Sequence, residues 1–162
     1  MCMWKLFKKE KAQKKIAVLV DHLNIVLSDT AVFQKKILDY DALRGICLEF
    51  GKIIFALTFI PEKFELPSFV YDKGFYPVLC PPKNGKEGKY KDGVDMVMTE
   101  FGVNLLEHAD IDALVIVAND GDYIRLANKA KFFKKKVHLV AGEKVSYLLK
   151  QIADTVSPVP VR

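Results

Sequence analysis

The chain has 162 residues, is 51% apolar and carries a formal net charge of +5. This size favours one domain with a sizeable core, and no apolar run approaches the ~20 residues that span a bilayer, so we expect no integral membrane association. Residues 1–15 carry six lysines and one glutamate, which accounts for the whole net charge. We expect a basic, disordered tail over 1–15 and a folded domain over 16–162.

The cysteines and the start of the chain indicate the compartment. Cys2, Cys47 and Cys80 are odd in number and form no CxxC pair, so neither a disulfide framework nor a structural zinc site is expected. The first residues lack the long apolar stretch of a secretory signal. The sequence therefore predicts a reduced, cytoplasmic protein.

Apolar runs alternate with longer amphipathic segments along the chain. The runs are rich in β-branched residues and do not alternate with polar ones, as in parallel strands buried on both faces. This pattern predicts a doubly wound α/β fold with a central, mainly parallel sheet of five to six strands. The predicted strands are 16–20, 53–60, 76–79, 113–117, 137–141 and 156–159, and the predicted helices lie near 22–28, 40–50, 62–73, 92–108, 122–133 and 144–153.

Four aspartates follow predicted strands or begin predicted helices. Asp21 ends the run IAVLVD, Asp95 lies in KDGVD, and Asp120 and Asp122 follow the run ALVIVAN. If the strands before Asp21 and Asp120 are parallel neighbours, these acids meet at the carboxyl edge of the sheet, where open α/β folds bind ligands. Carboxylates crowded together repel one another, and a divalent cation that prefers oxygen ligands, Mg²⁺ or Mn²⁺, is the usual remedy.

Each of these residues also has an ordinary structural explanation. Asp21 and Asn24 are three residues apart, as expected for a helix cap followed by a turn residue. Asp95 would favour the positive end of the helix that it begins, and Gly93 would let another backbone segment approach closely. At the turn NDGD, a capping role explains one of the two aspartates but not both.

Two basic segments accompany the acidic residues. The segment KNGKEGKYK over 83–91 has four lysines, and residues 125–136 carry six positive charges and no acid. A solvated surface explains either segment when it is taken alone. Basic residues beside an acidic site instead fit a polyanionic substrate that is held by lysine and cut at a metal.

These motifs together resemble the NYN domain, the LabA-like branch of the PIN-like nuclease superfamily. The resemblance runs over about residues 16–160 and is carried by IAVLVDHLN, KDGVD and VANDGDY in that order. A closing helix with Ser146 and Leu149, followed by Ala153-Asp154, matches the family as well. Of the neighbouring residues, we assign His22 to the surface and Tyr123, where family members carry Phe, to the core.

The resemblance implies a PIN-like (Rossmann-like) three-layer sandwich and a metal-dependent endoribonuclease that hydrolyses RNA phosphodiester bonds with Mg²⁺ or Mn²⁺. A water activated by the metal would attack the phosphodiester in line, and Asn24 would orient that water or the phosphate. The implied catalytic metal ligands are Asp21, Asp95, Asp120 and Asp122. The implied substrate-binding residues are Lys89, Lys91, Arg125 and Asn119. PIN-like proteins often pair, so a homodimer is also an expectation.

Departures from the family leave other functions open. Ala118-Asn119 replaces the usual Ser-Gly, and Phe101 stands where family members often have a further acid. A reduced ligand set would weaken metal binding, so the alternative is a non-catalytic RNA-binding or regulatory module that keeps the fold. A phosphatase with a nucleophilic aspartate usually has DxD after its first strand, and Leu23 at the second position disfavours that class.

Overall fold

The structure, a computed structural model, describes residues 12–28, 36–65, 67–83 and 93–162. Within these ranges six strands form one sheet, and every neighbouring pair is parallel. The strands are β1 Lys15–Asp21, β2 Lys52–Pro61, β3 Tyr76–Cys80, β4 Ala113–Val117, β5 Lys136–Ala141 and β6 Thr155–Pro158. Their order across the sheet is β3-β2-β1-β4-β5-β6, which confirms the predicted α/β class and the parallel sheet.

Helices connect most of these strands. They are α1 His22–Ser28, α2 Tyr40–Phe50, α3 Phe69–Asp72, α4 Val94–His108, α5 Ile124–Phe132 and α6 Tyr147–Ile152, and a 3₁₀ turn at Gly121–Tyr123 precedes α5. The predicted helix over 62–73 is wrong, because only Phe69–Asp72 is helical there. Pro61 and Pro67 explain the difference, since proline lacks an amide hydrogen and disfavours helical backbone in the residue before it.

The side chains of β1 alternate between two cores. Ala17 and Leu19 pack in a cluster with residues of α4, α5 and α6, whereas Ile16, Val18 and Val20 pack in a cluster with residues of α1, α2 and α3. Successive side chains of a strand point to opposite faces, so both faces of the sheet are covered by helices. This arrangement confirms the three-layer sandwich. Among the described residues, no helix is long and apolar enough to cross a bilayer.

The order of the strands reverses between β1 and β4. The chain runs from β1 outward through β2 and β3, and it then returns to pair β4 with the other side of β1. In open α/β sheets, a crevice forms outside the carboxyl ends of the strands at such a switch point. The pairing of Val20 with Val117 brings Asp21, which ends β1, beside the residues that follow β4.

Candidate active site at the carboxyl edge of the sheet

Asp21 ends β1 at the carboxyl edge of the sheet and is only 6% exposed. Its Oδ2 accepts a hydrogen bond of 2.6 Å from the Tyr123 hydroxyl, and its Oδ1 accepts one of 3.1 Å from the Asn24 backbone amide. Burial and the Asp21 charge raise the pKa of Tyr123, so the phenol keeps the proton that it donates. A buried carboxylate is costly without such donors, and these two hydrogen bonds hold the Asp21 carboxyl group in one orientation.

Sequence reasoning placed Tyr123 correctly in the core but missed its hydroxyl. The signal was available, because Tyr123 was already assigned to the core and carries a polar hydroxyl. A buried phenol needs a hydrogen-bond partner, and Asp21 supplies it.

Asn119 joins the elements around the crevice. It is 3% exposed; its backbone amide donates to Asn24 Oδ1 at 2.7 Å, and its side-chain amide donates to Ser28 Oγ. Its Oδ1 accepts from the Gly142 amide at 2.7 Å, and its carbonyl oxygen accepts from the Ser146 amide at 2.7 Å. Both polar atoms of the side chain are therefore bonded inside the protein, and substrate binding by Asn119 stays a prediction.

Asn24 has a related role. Its backbone amide bonds Asp21 while its Oδ1 accepts from the Asn119 amide, so Asn24 links the ends of β1 and β4. The oxygen is thus committed to the protein, and donation from Nδ2 is the chemistry by which Asn24 could contact a phosphate.

The turn after β4 carries the two aspartates predicted there. Asp120 Oδ1 accepts from the Asp122 backbone amide at 2.9 Å and so caps the 3₁₀ turn. The charge of Asp120 raises the pKa of the Asp122 carboxyl, and burial and the charge of Asp95 add to the effect. Carboxylates shift one another in this way when they lie close enough to repel. Asp95 and Asp120 thus both lie close enough to Asp122 to raise its pKa, while a metal site shared by the four aspartates stays a prediction.

Asp95 lies in the first turn of α4, where negative charge is favoured by the helix dipole. Gly93 lies just before this helix, and a Cβ added to it would stand 2.4 Å from the Pro81 carbonyl oxygen, which confirms the expected close backbone approach. Lys83 Nζ donates to Asp95 Oδ1 at 2.6 Å. The sequence did not predict this ion pair of Lys83 with Asp95, because the pairing depends on the path of the chain between β3 and α4.

An open cleft of about 680 Å³ adjoins these acids. Asp95, Asp122, Lys83 and Arg125 line it together with Thr99 and Glu100 of α4. Arg125 thus lies on the wall of the acidic cleft, and its contact with substrate stays a prediction. Lys89 and Lys91, the other predicted substrate-binding cations, lie outside the described residues.

His22 and Phe101 both make contacts with other aromatic rings. His22 is not a surface residue: its ring lies partly buried between Tyr40 and Phe64, with Nδ1 2.8 Å from the Tyr40 hydroxyl oxygen. Burial lowers the pKa of His22 to about 4, so the ring is neutral near pH 7. Phe101, which stands where relatives often have an acid, packs edge-on against Phe59 with ring centroids 5.4 Å apart.

The closing motif stabilises the fold. Ser146 caps α6 by accepting from the Leu149 amide. Asp154 accepts hydrogen bonds from the Val137 amide at 2.8 Å and from the Lys131 ammonium. Although burial acts in the opposite direction, these two donors leave the pKa of Asp154 lowered. Ser146 lies between β5 and α6, and Asp154 lies between α6 and β6.

The acids fit a divalent cation in chemistry but are not gathered into a finished metal centre. Within the described ranges, no three acidic, histidine or cysteine side chains form a group that could hold a metal ion. The donors are nevertheless carboxylate oxygens, which Mg²⁺ and Mn²⁺ prefer. The raised pKa of Asp122 expresses a repulsion that a cation would relieve. At Asp95, the Lys83 ammonium supplies the positive charge, so the expected set of four converging ligands is not preformed.

Comparison with known proteins identifies the family. The sequence profile of the NYN domain matches residues 15–159. The chain belongs to the NYN domain family. This NYN domain is therefore a member of the PIN-like nuclease superfamily, whose members generally use divalent metals. The resemblance to the NYN domain is therefore confirmed at the level of the family.

One relative in sequence and one solved structure extend the comparison. An uncharacterized protein of Methanocaldococcus jannaschii is 28% identical over 151 residues, which are 92% of this chain and 57% of that protein. The NYN chain thus spans little more than half the length of this relative. A crystal structure of a protein of unknown function from Vibrio parahaemolyticus has a TM-score of 0.81 at 21% identity and covers 94% of this chain and 96% of its own. This similarity supports the fold alone.

Proposed function

We propose that this NYN domain is a metal-dependent endoribonuclease that hydrolyses RNA phosphodiester bonds at the carboxyl edge of its sheet. The observation that carries the proposal is the group of mutually repelling acids, Asp95, Asp120 and Asp122, at and beside the open cleft. Membership of the NYN family supplies the reaction class and RNA as the substrate. The LabA-like branch, a cytoplasmic location and a homodimer stay predictions.

The proposed cation is Mg²⁺ or Mn²⁺, held by Asp95, Asp120 and Asp122. When bound, the cation would supply Lewis-acid chemistry for the attack of water on the phosphodiester. Asp21 is the fourth proposed ligand. Because an ionised carboxylate can accept about four hydrogen bonds or ligands, Asp21 could contact the cation while it keeps the bond from Tyr123.

The remaining residues would position the RNA. The Arg125 guanidinium is always charged and suits a phosphate, and it lines the same cleft as Asp122. Lys83 would hold Asp95 in place until a cation displaces its ammonium. Asn24 would act mainly by fixing Asp21, and Lys89 and Lys91 remain predicted contacts to the RNA backbone.

The deciding experiment is cleavage of a labelled single-stranded RNA with Mn²⁺, Mg²⁺ or EDTA. Asp122→Asn and Asp95→Asn keep the side-chain shape but remove a charge, and Glu49→Gln, at an exposed position of α2, is the matched control. We expect metal-dependent cutting that falls about 100-fold or more in the two site variants, because a catalytic cation supplies several kcal/mol. Equal cutting in EDTA, or equal rates in all three variants, would overturn the proposal.

Two observations favour a second candidate function. The Lys83 ammonium already neutralises Asp95, and no finished metal group lies in the described residues. Both features fit an RNA-binding or regulatory module that has a weakened metal site. Salt-sensitive RNA binding by the wild type, without cutting in Mn²⁺ or Mg²⁺, would establish this alternative.

A further inference from the structure

A second groove continues the acidic cleft between helices α4 and α5. It has a volume of about 550 Å³ and shares Thr99, Val103 and Arg125 with the cleft. Because the two hollows have these walls in common, they form one continuous surface. We call this second hollow the α4–α5 groove. A molecule bound at the acids could therefore extend into it without leaving the protein surface.

One face of α5 supplies most of the wall of the α4–α5 groove. Arg125, Asn128, Lys129 and Phe132 all line it, and their spacing of three, four and seven residues puts them on one side of a helix. The stripe is about 10 Å long, which is roughly three times the ~3.4 Å rise of a nucleotide in a stacked strand. The groove is therefore long enough for a short run of nucleotides.

Phe132 is the unusual member of this stripe. Its side chain is 76% exposed, although an exposed phenylalanine forfeits about 2 kcal/mol of burial. Its neighbour Phe133 is partly buried against the core and meets Phe132 edge-to-face, with ring centroids 5.5 Å apart. The Lys129 ammonium lies 5.6 Å from the Phe132 ring centroid. The groove thus ends in an aromatic ring that is open to solvent and beside a cation.

Four of the six positive charges in the basic segment 125–136 fall into two groups. Lys131 and Lys136 form ion pairs with Asp154, which directly precedes β6. Lys129 instead lines the α4–α5 groove with Arg125. Its nearest acid is Glu107, with a nitrogen–oxygen distance of 3.9 Å between partly exposed side chains, and such a pair contributes little. Two cations of the segment are therefore presented to the groove.

We propose that the α4–α5 groove binds single-stranded RNA that leads away from the acidic site. Phosphates lie against Arg125 and Lys129, and a base stacks on Phe132. Basic residues that follow a strand and an aromatic ring that stacks a base are the two devices by which proteins hold single strands. Charge complementarity and continuity with the acidic cleft favour RNA over a protein partner. The proposal rests on the proposed function for its substrate class.

The test measures binding without cleavage. The full chain is titrated into a fluorescently labelled, unstructured RNA oligonucleotide in EDTA, and fluorescence anisotropy reports the dissociation constant. Phe132→Ala is expected to weaken binding about tenfold, as for the loss of one stacked base, and Phe132→Tyr to restore it. Tyr76→Ala, which removes an equally prominent aromatic (67% exposed) at the far edge of the sheet, is expected to bind like the wild type.

The cations are tested by salt dependence. Removing one phosphate contact lowers the slope of log K against log salt by about 0.7 for a single strand, so Lys129→Gln and Arg125→Gln should each show this change. Lys52→Gln, at the start of β2, is the control with an unchanged slope. Equal slopes in all variants, or binding by Phe132→Ala as tight as by Tyr76→Ala, would overturn the proposal.

Three further outcomes separate the possibilities. If Phe132→Ala changes the oligomeric state in light scattering while RNA affinity stays equal to wild type, a second copy covers the groove and the proposal is wrong. If the wild type fails to cut RNA but the groove variants still lose affinity and slope, the nuclease proposal falls and the groove proposal stands. If the wild type cuts RNA and the groove variants keep its RNA affinity, the groove proposal falls and the nuclease proposal stands.

Discussion

The hydroxyl group of Tyr123 offers the sharpest test of how the site is built. Tyr123→Phe removes one oxygen atom, which donates to Asp21 Oδ2 at 2.6 Å, and leaves the buried ring in place. A hydrogen bond to a charged group is worth about 1.5–3 kcal/mol, and Asp21 is buried enough that water cannot replace it. We expect a loss of about 2 kcal/mol in the free energy of unfolding, which lowers Tm by about 4–8 °C in a domain of this size.

The assay is urea or thermal unfolding, with two comparisons. Tyr76→Phe removes the hydroxyl of an exposed tyrosine and should change stability by no more than ~0.5 kcal/mol. In an Asp21→Asn background the acceptor is neutral, so the Tyr123→Phe change should cost only about 1 kcal/mol. An equal loss in both backgrounds, or a loss no greater than that of Tyr76→Phe, would refute the reasoning.

Other contacts give three further predictions. Lys83→Met removes the ammonium from Asp95 and should tighten Mn²⁺ binding about fivefold, since a partly exposed ion pair is worth at most ~1 kcal/mol; unchanged or weaker binding in electron paramagnetic resonance titrations would contradict this. Gly93→Ala drives a methyl group against the Pro81 carbonyl oxygen and should cost ~1–3 kcal/mol in urea unfolding, whereas wild-type stability would disprove the close approach. Burial lowers the pKa of His138 from 6.5, so the unfolded chain binds a proton that the folded chain does not. Stability should therefore fall as pH drops below 6.5, and His138→Gln should flatten this part of the profile; parallel profiles would be the contrary result.

Local sequence pattern was enough to predict the parallel sheet and the edge of it at which Asp21 and Asp120 lie. The unalternating apolar runs before Asp21 and Asp120 indicated parallel strands, and the pairing of β1 with β4 placed the two strand ends side by side. Gly93 was expected at a close approach of two backbones, and one was found there. In each case the signal lay within a few residues of the feature that it predicted.

The features that were missed depend on contacts between distant segments. The Tyr123 hydroxyl meets Asp21 across 102 positions of sequence, and Lys83 meets Asp95 across a loop whose path no local pattern fixes. Asn119 resembles a substrate ligand in sequence, but its side chain bonds α1 and the end of β5. The types of polar residue near the site could therefore be predicted from the sequence, whereas their hydrogen-bond partners could be identified only in the folded chain.

Asn119 also determines how the crevice can move. Its backbone and side chain connect the end of β4 to α1 on one side and to the segment between β5 and α6 on the other. Such cross-bracing opposes any hinge between the two halves of the sheet. The turn that carries Asp120 and Asp122 is consequently held on both sides. The repulsion between these two carboxylates is therefore overcome once, when the chain folds, and not each time that a cation binds.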